Sequence, residues 1–261
     1  MNTEQFLIHG WTWNPAAWLI SAAALAAYLA VFGAQRRLAW FVAALGVFLL
    51  TLVSQINTLA NGYLFSAHML QHMLLLLIVP ALLLLSLPPS FELPKTLRPA
   101  THPFAGWLAG VGSMWLWHLP ALCNAAADLK SVFALQTVSL LFFGSLFWWQ
   151  VIAPRERDRL SPPGAIIYLF TACTACSVLG IILTFSPITV CSAYIQPADR
   201  LGLLHTIRSS WGITSDKDQQ IGGLLMWVPM CMIYLTAICA QIVRWFAAPA
   251  GSQAMGTNGK I

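Results

Sequence analysis

The chain has 261 residues, of which 59% are hydrophobic and only 8% are charged. A water-soluble domain carries about 25% charged residues, so this composition excludes the water-soluble classes of enzyme and indicates a protein that crosses a membrane several times. The net charge of +5 comes without the clustered basic patch that nucleic-acid binding needs, so no nucleic-acid partner is expected.

A helix that crosses the hydrocarbon core of a bilayer needs roughly 20 apolar residues. The sequence contains seven such runs, and none of them includes Lys, Asp or Glu. Since backbone groups in lipid must be hydrogen-bonded within the protein, we predict an all-α fold, with one transmembrane domain of seven helices over residues 1–261. The predicted helices cover residues 16–34, 38–56, 63–87, 104–122, 132–153, 165–185 and 221–246.

The segment before the first predicted helix, MNTEQFLIHGWTWNP, carries one acidic residue and no Lys or Arg. A cleaved signal peptide begins with a basic region, so the first helix is expected to remain in the mature protein.

Lys and Arg are distributed unequally between the two sides of the predicted bundle. Nine lie on the side of the C-terminus and four on the side of the N-terminus. Because positively charged loops stay in the cytoplasm, we predict an external N-terminus and a cytoplasmic C-terminus in the cytoplasmic membrane of a bacterium. The nine are Arg36, Arg37, Lys95, Arg98, Arg155, Arg157, Arg159, Arg244 and Lys260, and the four are Lys130, Arg200, Arg208 and Lys217.

Histidines gather on the predicted external side. The third helix opens with SAHMLQHMLL, in which His68 and His72 are spaced to project from one face, and the fourth helix ends at His118. An ionisable residue inside a membrane span indicates a functional site. The histidines on this side are His9, His68, His72, His118 and His205, whereas His102 is cytoplasmic.

Methionines accompany the histidines of these two helices. Imidazole binds zinc, copper and iron, and thioether sulfur selects Cu(I), so the pattern is typical of a copper site. Two alternatives stay open. In the first, the histidines instead hydrogen-bond neighbouring helices; in the second, one histidine from each helix holds a b-type haem. Of the two ligands, we prefer copper to haem. The candidate metal ligands are His68, Met69, His72, Met73 and His118, with Gln71, Met114, Asp218 and Gln219 as further functional candidates.

Residues 186–220 form a long predicted external loop. Its segment DRLGLLHTIRSSWG mixes apolar and basic residues, as in a helix that lies in the membrane interface. At the end of the loop, Asp216 or Asp218 is expected to cap the seventh helix. Gly222 and Gly223 then allow another helix to approach closely.

The six cysteines fall into two groups. Cys173, Cys176, Cys231 and Cys239 lie within predicted helices, where we expect packing residues rather than a zinc site. The other two, Cys123 and Cys191, lie on the external side, where a disulfide would persist, although spacing alone does not fix the pairing.

Three stretches together resemble the membrane-integral CtaG family of cytochrome c oxidase assembly factors, the seven-helix type. They are SAHMLQHMLLLLIVPALLLLSLP, then WLWHLPALCNAA with LLFFGSLFWWQV, and then DKDQQIGGLLMWVP. The resemblance implies a multi-pass membrane protein that helps to insert copper into apo-cytochrome c oxidase subunits, with membrane lipid and a copper chaperone as further partners. The residues it carries over are His68, Met69, Gln71, His72, Met73, Trp117, His118, Pro120, Asp218, Gln219, Gly222, Gly223 and Trp227.

The chain departs from the family pattern at the start of the fifth helix. The family usually has a histidine-bearing segment there, whereas this chain has VFALQTV, with Phe133, Gln136 and Thr137. The resemblance therefore implies either a reduced or altered set of metal ligands, or a scaffolding role.

These observations favour a non-enzymatic assembly factor that holds copper transiently near the outer leaflet. The helices contain no paired carboxylates and no nucleophile beside a base, so no enzymatic activity is expected. The alternatives are a membrane transporter of copper or a small solute, and an electron-transfer subunit that carries haem b.

Overall fold

The computed structural model describes residues 1–94, 96 and 101–247, and over these residues the fold is all-α, as predicted. Lys95, Arg98 and Lys260, which contributed to the charge asymmetry, lie outside the described residues. The α-helices are α1 (Thr3–His9), α2 (Pro15–Phe32), α3 (Leu38–Val53), α4 (Gln55–Ala60), α5 (Phe65–Met73), α6 (Val79–Ser86), α7 (Pro103–Trp117), α8 (Pro120–Asp128), α9 (Lys130–Ile152), α10 (Pro162–Phe185) and α11 (Ser215–Ala247). Short 3-10 turns cover Glu156–Asp158 and Ser192–Tyr194, and π-helical turns cover Leu74–Ile78 and Thr206–Ser210.

Five helices are long and apolar enough to cross a membrane. They are α2, the continuous helix Phe65–Ser86 that comprises α5, a π-helical turn and α6, and then α9, α10 and α11. A sixth helix, α3, is apolar but shorter. The prediction of an all-helical membrane protein with several spans is therefore confirmed.

The predicted helix over residues 104–122 is divided in two. Helix α7 ends at Trp117 and α8 begins at Pro120, with Leu119 in an extended conformation between them. Proline lacks an N–H and disfavours a helical conformation in the residue before it, so Pro120 starts a new helix and cannot continue the old one. This break leaves His118 at the C-cap of α7.

Polar contacts show which helix termini lie together. The Thr12 amide donates to the Val53 carbonyl at 2.8 Å, so the start of α2 lies beside the end of α3. The Tyr28 hydroxyl donates to the Ser86 carbonyl at 2.8 Å, and Arg37 donates to the Leu87 carbonyl at 2.8 Å, so the end of α2 lies beside the end of α6. Helix α3 therefore runs back along α2 to the end where α5 begins.

The two ends of the bundle differ in charge. We call the end that contains His68, His72 and His118 the histidine end. The opposite end, which we call the arginine end, contains Arg37, Arg159 and Arg244; burial and the nearby charges of Arg244 and Arg37 lower the pKa of Arg159. At this end Gln150 of α9 also donates to the Thr101 carbonyl, 3.0 Å away and just before α7.

The π-helical turn Leu74–Ile78 follows the histidine-bearing turns directly. Pro80 has no N–H to offer to the Leu76 carbonyl four residues earlier, so the helix widens there. Gly144 of α9 packs against this site: a Cβ at residue 144 would lie 2.9 Å from Pro80 Cγ and even closer to the Leu76 carbonyl oxygen. The glycine allows α9 to approach the backbone of the wide turn.

We therefore expect Gly144→Ala to destabilise the protein by about 1–3 kcal/mol, because the added methyl group must displace backbone atoms. The matched control is Gly46→Ala in α3, where a Cβ meets nothing within 4 Å. Thermal unfolding in detergent measures both variants. An equal melting temperature for the two would show that the Gly144 contact is not restrictive.

The segment between α10 and α11 packs onto the histidine end. Leu203 and Ile207 are fully buried in a small cluster with Phe6, Tyr63 and Leu64. The N-terminal amine donates to the Gly202 carbonyl at 2.8 Å. The helical turn Thr206–Ser210 thus buries apolar side chains against the protein, in the part of the loop where an interfacial helix was expected.

Candidate functional site

Three buried imidazoles lie together at the histidine end. His68 and His72 are one turn apart on α5, with ring centroids 4.5 Å apart, and the His72 and His118 centroids are 5.2 Å apart. All three side chains are at most 5% exposed. The break between α7 and α8 at Pro120 ends α7 just before His118. The His118 ring can therefore leave the helix axis and lie beside α5.

The protonation state of His118 follows from its contacts. Its Nδ1 lies 2.5 Å from the Met114 carbonyl oxygen, which is only an acceptor, so Nδ1 carries the proton. In the neutral ring, Nε2 is then an acceptor, and it faces the Met69 sulfur at 3.0 Å, which is also an acceptor. Two lone-pair atoms thus face each other. Metal-binding histidines commonly have such a carbonyl behind the ring.

The other two imidazoles also meet through their Nε2 atoms, 3.1 Å apart. Both Nδ1 atoms are buried and have no hydrogen-bond partner among the described residues, and an unsatisfied buried polar atom costs about 1–3 kcal/mol. Two nitrogen ligands about 2.0–2.1 Å from one tetrahedral ion are roughly 3.3 Å apart. The separation of the His68 and His72 nitrogens therefore suits two ligands of the same metal ion.

Gln136 of α9 adds a polar group at the same place. Its side chain is 1% exposed and lies close to His72, while its amide nitrogen has no hydrogen-bond partner in the part of the chain that the structure describes. Gln136 belongs to the segment VFALQTV, which was expected to depart from the pattern of the family that the sequence resembles. The structure brings its side chain to the imidazoles.

The candidate metal ligands include both nitrogen and sulfur atoms. Within residues 1–94, 96 and 101–247, no group of three or more His, Cys, Asp or Glu side chains has the arrangement of a metal site. The contacts instead give one nitrogen pair, His68 with His72, and one nitrogen–sulfur pair, His118 with Met69.

Asp218 fixes the start of the histidine-bearing helix. Its carboxylate accepts hydrogen bonds from the Phe65 amide at 2.7 Å, the Ser66 amide at 3.0 Å and the Ser66 hydroxyl at 2.6 Å. The prediction that Asp218 caps its own helix is therefore wrong. It caps α5 across the bundle, because the first turn of α11 packs against α5. At the start of α11 itself, the Thr214 hydroxyl accepts a hydrogen bond from the Lys217 amide.

Gly222 makes this packing possible. A Cβ there would lie 2.7 Å from the Phe65 ring and 3.1 Å from Met69 Cγ, so the expected close helix approach at this glycine is confirmed. The same close approach places the backbone of α11 against the Met69 side chain.

A segment of the loop between α10 and α11 covers the imidazoles. The Tyr194 ring centroid lies 5.9 Å from that of His68, and its hydroxyl donates to the Ala60 carbonyl at 2.6 Å. Cys191 is joined by a disulfide to Cys123 of α8, which is the pairing that the sequence left open. The Asn124 side chain accepts from the Ala193 amide at 2.9 Å. The sequence offered no signal for Tyr194, since nothing local marks an aromatic residue of a loop as a cover.

The remaining candidates have other contacts. Gln71 donates to the Thr51 carbonyl at 2.8 Å, on the side of α3. Gln219 accepts from the Val190 amide at 2.9 Å and so holds the loop. Met114 offers its carbonyl to His118, and Met73 is buried in the main hydrophobic core.

Known proteins resemble the chain over most of its length. Residues 16–248 match the family model described as cytochrome c oxidase caa3 assembly factor (Caa3_CtaG). An uncharacterized protein of Mycobacterium leprae is 25% identical over 84% of this chain and 37% of its own length. Uncharacterized proteins of Mycobacterium bovis and Mycobacterium tuberculosis are each 26% identical over 84% of this chain and 36% of their own length.

The chain thus spans little more than a third of the length of these relatives. No solved structure matches it. The family match covers α2 to α11, including every residue of the imidazole cluster, so the chain belongs to the caa3-type cytochrome c oxidase assembly factor family, CtaG.

Proposed function

We propose that this chain assists the assembly of a haem–copper cytochrome c oxidase by holding one copper ion at the histidine end and releasing it to an apo-oxidase subunit. Copper is here the cargo of the protein. The ligands are His68, His72 and His118 with the Met69 thioether. Membership of the assembly-factor family supplies the context, and the contacts of these four side chains supply the chemistry.

The observation that carries the proposal is the contact between His118 Nε2 and the Met69 sulfur, 3.0 Å apart. With Nδ1 protonated towards the Met114 carbonyl, neither atom has a hydrogen to share. A protonated ring would resolve the conflict, but a buried charge without a counter-ion is costly. A soft cation resolves it with both lone pairs, and nitrogen with thioether sulfur is a donor set that favours Cu(I).

Haem is the less suitable ligand. A haem iron held by two histidines needs the imidazoles on opposite faces of the porphyrin. Here the His68 and His72 nitrogens lie 3.1 Å apart, and the His118 ring is edge-on to that of His72. The imidazole rings contact each other directly, which leaves no room for a porphyrin between them. A single metal ion needs only the space between the ring nitrogens.

The site also suits transient binding. His68, Met69 and His72 come from one helix and His118 from another, so a small separation of α5 and α7 would remove the His118 ligand and weaken the binding of the ion. The segment with Tyr194 covers the cluster and must move for copper to leave. A copper chaperone that delivers the ion would meet the same face.

We further propose that the chain crosses the bacterial cytoplasmic membrane seven times, with its N-terminus outside. Besides the five long helices, α3 and α7 each run from the arginine end to the histidine end, as the contacts of Val53 with Thr12 and of His118 with Met69 indicate. The arginine end would face the cytoplasm, because positively charged loops remain there. The copper site then lies near the outer leaflet.

Copper binding to the purified chain tests the proposal. The variant His68→Ala/His72→Ala/His118→Ala is expected to bind about one copper ion per chain fewer than the native protein, since three of the nitrogen ligands are gone. The measurement is elemental analysis after incubation with Cu(I) and removal of excess ion by gel filtration.

The matched control is His9→Ala/His102→Ala/His205→Ala, because these three side chains are exposed. This control is expected to bind as much copper as the native chain. Equal copper in the two triple variants would remove the site assignment. Reconstituted vesicles provide a second measurement: an assembly factor accumulates no copper inside them, whereas a transporter does.

A further inference from the structure

We propose that Cys173 and Cys231 form a second metal site, which takes one soft monovalent ion, Cu(I), between α10 and α11. The choice of copper as the ion rests on the proposed function, whereas the site itself rests on the geometry of the thiols. The two sulfur atoms are 3.2 Å apart. Cys173 lies near the middle of α10 and Cys231 near the middle of α11, far along both helices from the imidazoles.

The close packing of the two helices holds the sulfurs together. A Cβ at Gly180 of α10 would lie 2.8 Å from Trp227 Cβ and 3.1 Å from the Gly223 carbonyl oxygen of α11. Small residues of this kind allow transmembrane helices to approach closely. The two cysteines lie further along the same interface, where the close approach of α10 and α11 brings their sulfur atoms together.

The hydrogen bonds around the pair account for every proton. The Ser177 hydroxyl donates to the Cys173 carbonyl at 2.7 Å, and its oxygen lies 3.1 Å from the Cys231 sulfur. The Cys231 thiol therefore donates to Ser177, and the Cys173 thiol donates to Cys231. Both thiols are neutral, and each sulfur has lone pairs left for a metal ion.

Charge balance selects the ion. A net charge inside the bilayer is costly, so binding must leave the site neutral. One Cu(I) that displaces one thiol proton does so: the products are a thiolate–Cu(I)–thiol complex without net charge and one released proton. Thiolate sulfur favours Cu(I) and zinc over harder ions. Zinc prefers four ligands in tetrahedral geometry, and the pair with Ser177 offers only three.

The other two cysteines of these helices provide matched controls. Cys176 is buried with its sulfur 3.9 Å from the Tyr234 hydroxyl, and Cys239 is exposed. Cys173 and Cys231 are both partly exposed, so neither thiol is enclosed within the core.

The experiment uses the full chain in detergent under oxygen-free conditions without a thiol reductant, so that the Cys123–Cys191 disulfide stays closed, and Cu(I) alone as the probe. In the background His68→Ala/His72→Ala/His118→Ala, about one Cu(I) per chain is expected to remain bound. Adding Cys173→Ser and Cys231→Ser to this background is expected to abolish it, whereas adding Cys176→Ser and Cys239→Ser leaves it unchanged. X-ray absorption at the copper edge is expected to show sulfur neighbours in the background variant.

Equal copper in the two cysteine variants would overturn the proposal, and so would nitrogen or oxygen neighbours alone at the copper edge. Failure of the histidine site gives a different result, since native chain and triple-histidine variant would then bind equal copper. Thermal unfolding of the variant with Cys173→Ser and Cys231→Ser checks that loss of binding does not come from misfolding.

Discussion

Asp218→Ala is expected to destabilise the folded protein by about 3 kcal/mol and to weaken copper binding. The substitution removes the acceptor for two amides and one hydroxyl at the start of α5. Each hydrogen bond to a charged group contributes about 1.5–3 kcal/mol, and the donors left behind are buried. Because the same helix turn leads into His68, its loosening also disturbs the imidazoles. Thermal unfolding and Cu(I) titration of the purified variant measure the two effects.

Asp216→Ala is the matched control, since Asp216 belongs to the same turn of α11 but is exposed. It is expected to leave both properties unchanged. Asp218→Asn retains one carbonyl oxygen and should lose less stability than the alanine variant. In a double-mutant cycle, Asp218→Ala and Ser66→Ala are expected to be non-additive, because they share a hydrogen bond. Additive effects, or a stable Asp218→Ala variant, would show that the cap does not hold the helix.

Helix periodicity and composition were enough to predict the class of fold. The geometry of the imidazole cluster depends on two further features, the helix break at Pro120 and the hydrogen bonds of Asp218. The break after Trp117 follows from Pro120, a local rule that the sequence displays. The role of Asp218 does not follow from any local rule, since its partners Phe65 and Ser66 are 152 or more residues away along the chain. A carboxylate in the first turn of a helix normally serves that helix, and only the packing of α11 on α5 overrides this.

The imidazole cluster was predicted in part for the same reason. His68 and His72 share a helix face, so their proximity follows from the spacing alone. The position of His118 beside Met69 depends on how α7 packs on α5, and that contact distinguishes Met69 from Met73, the other methionine predicted as a ligand. Gln136 and Tyr194 reach the cluster only through the tertiary fold. The separation of Cys173 from Cys231 is equally non-local, because it comes from the approach of α10 to α11.

Consider a strain in which the only copy of the gene for this protein carries His118→Ala. When copper is scarce, it is expected to contain roughly tenfold less active cytochrome c oxidase, because loss of a single well-positioned ligand weakens metal binding by that order. Excess copper in the medium is expected to restore most of the activity, since mass action compensates for a weak site. Oxidase activity of isolated membranes, together with their copper content, measures both effects.

His205→Ala is the control for that experiment, because His205 is exposed outside the cluster. Met69→Leu is the sharper comparison: leucine fills a similar volume but offers no sulfur lone pair, so the packing against Gly222 is kept while the soft ligand is lost. We expect its oxidase deficit to have the same sign as that of His118→Ala, a smaller size and the same response to added copper. A His118→Ala deficit that copper does not relieve would identify a scaffolding protein. The copper dependence of the deficit therefore separates cargo delivery from support of the oxidase subunits, even though both would reduce the amount of active enzyme.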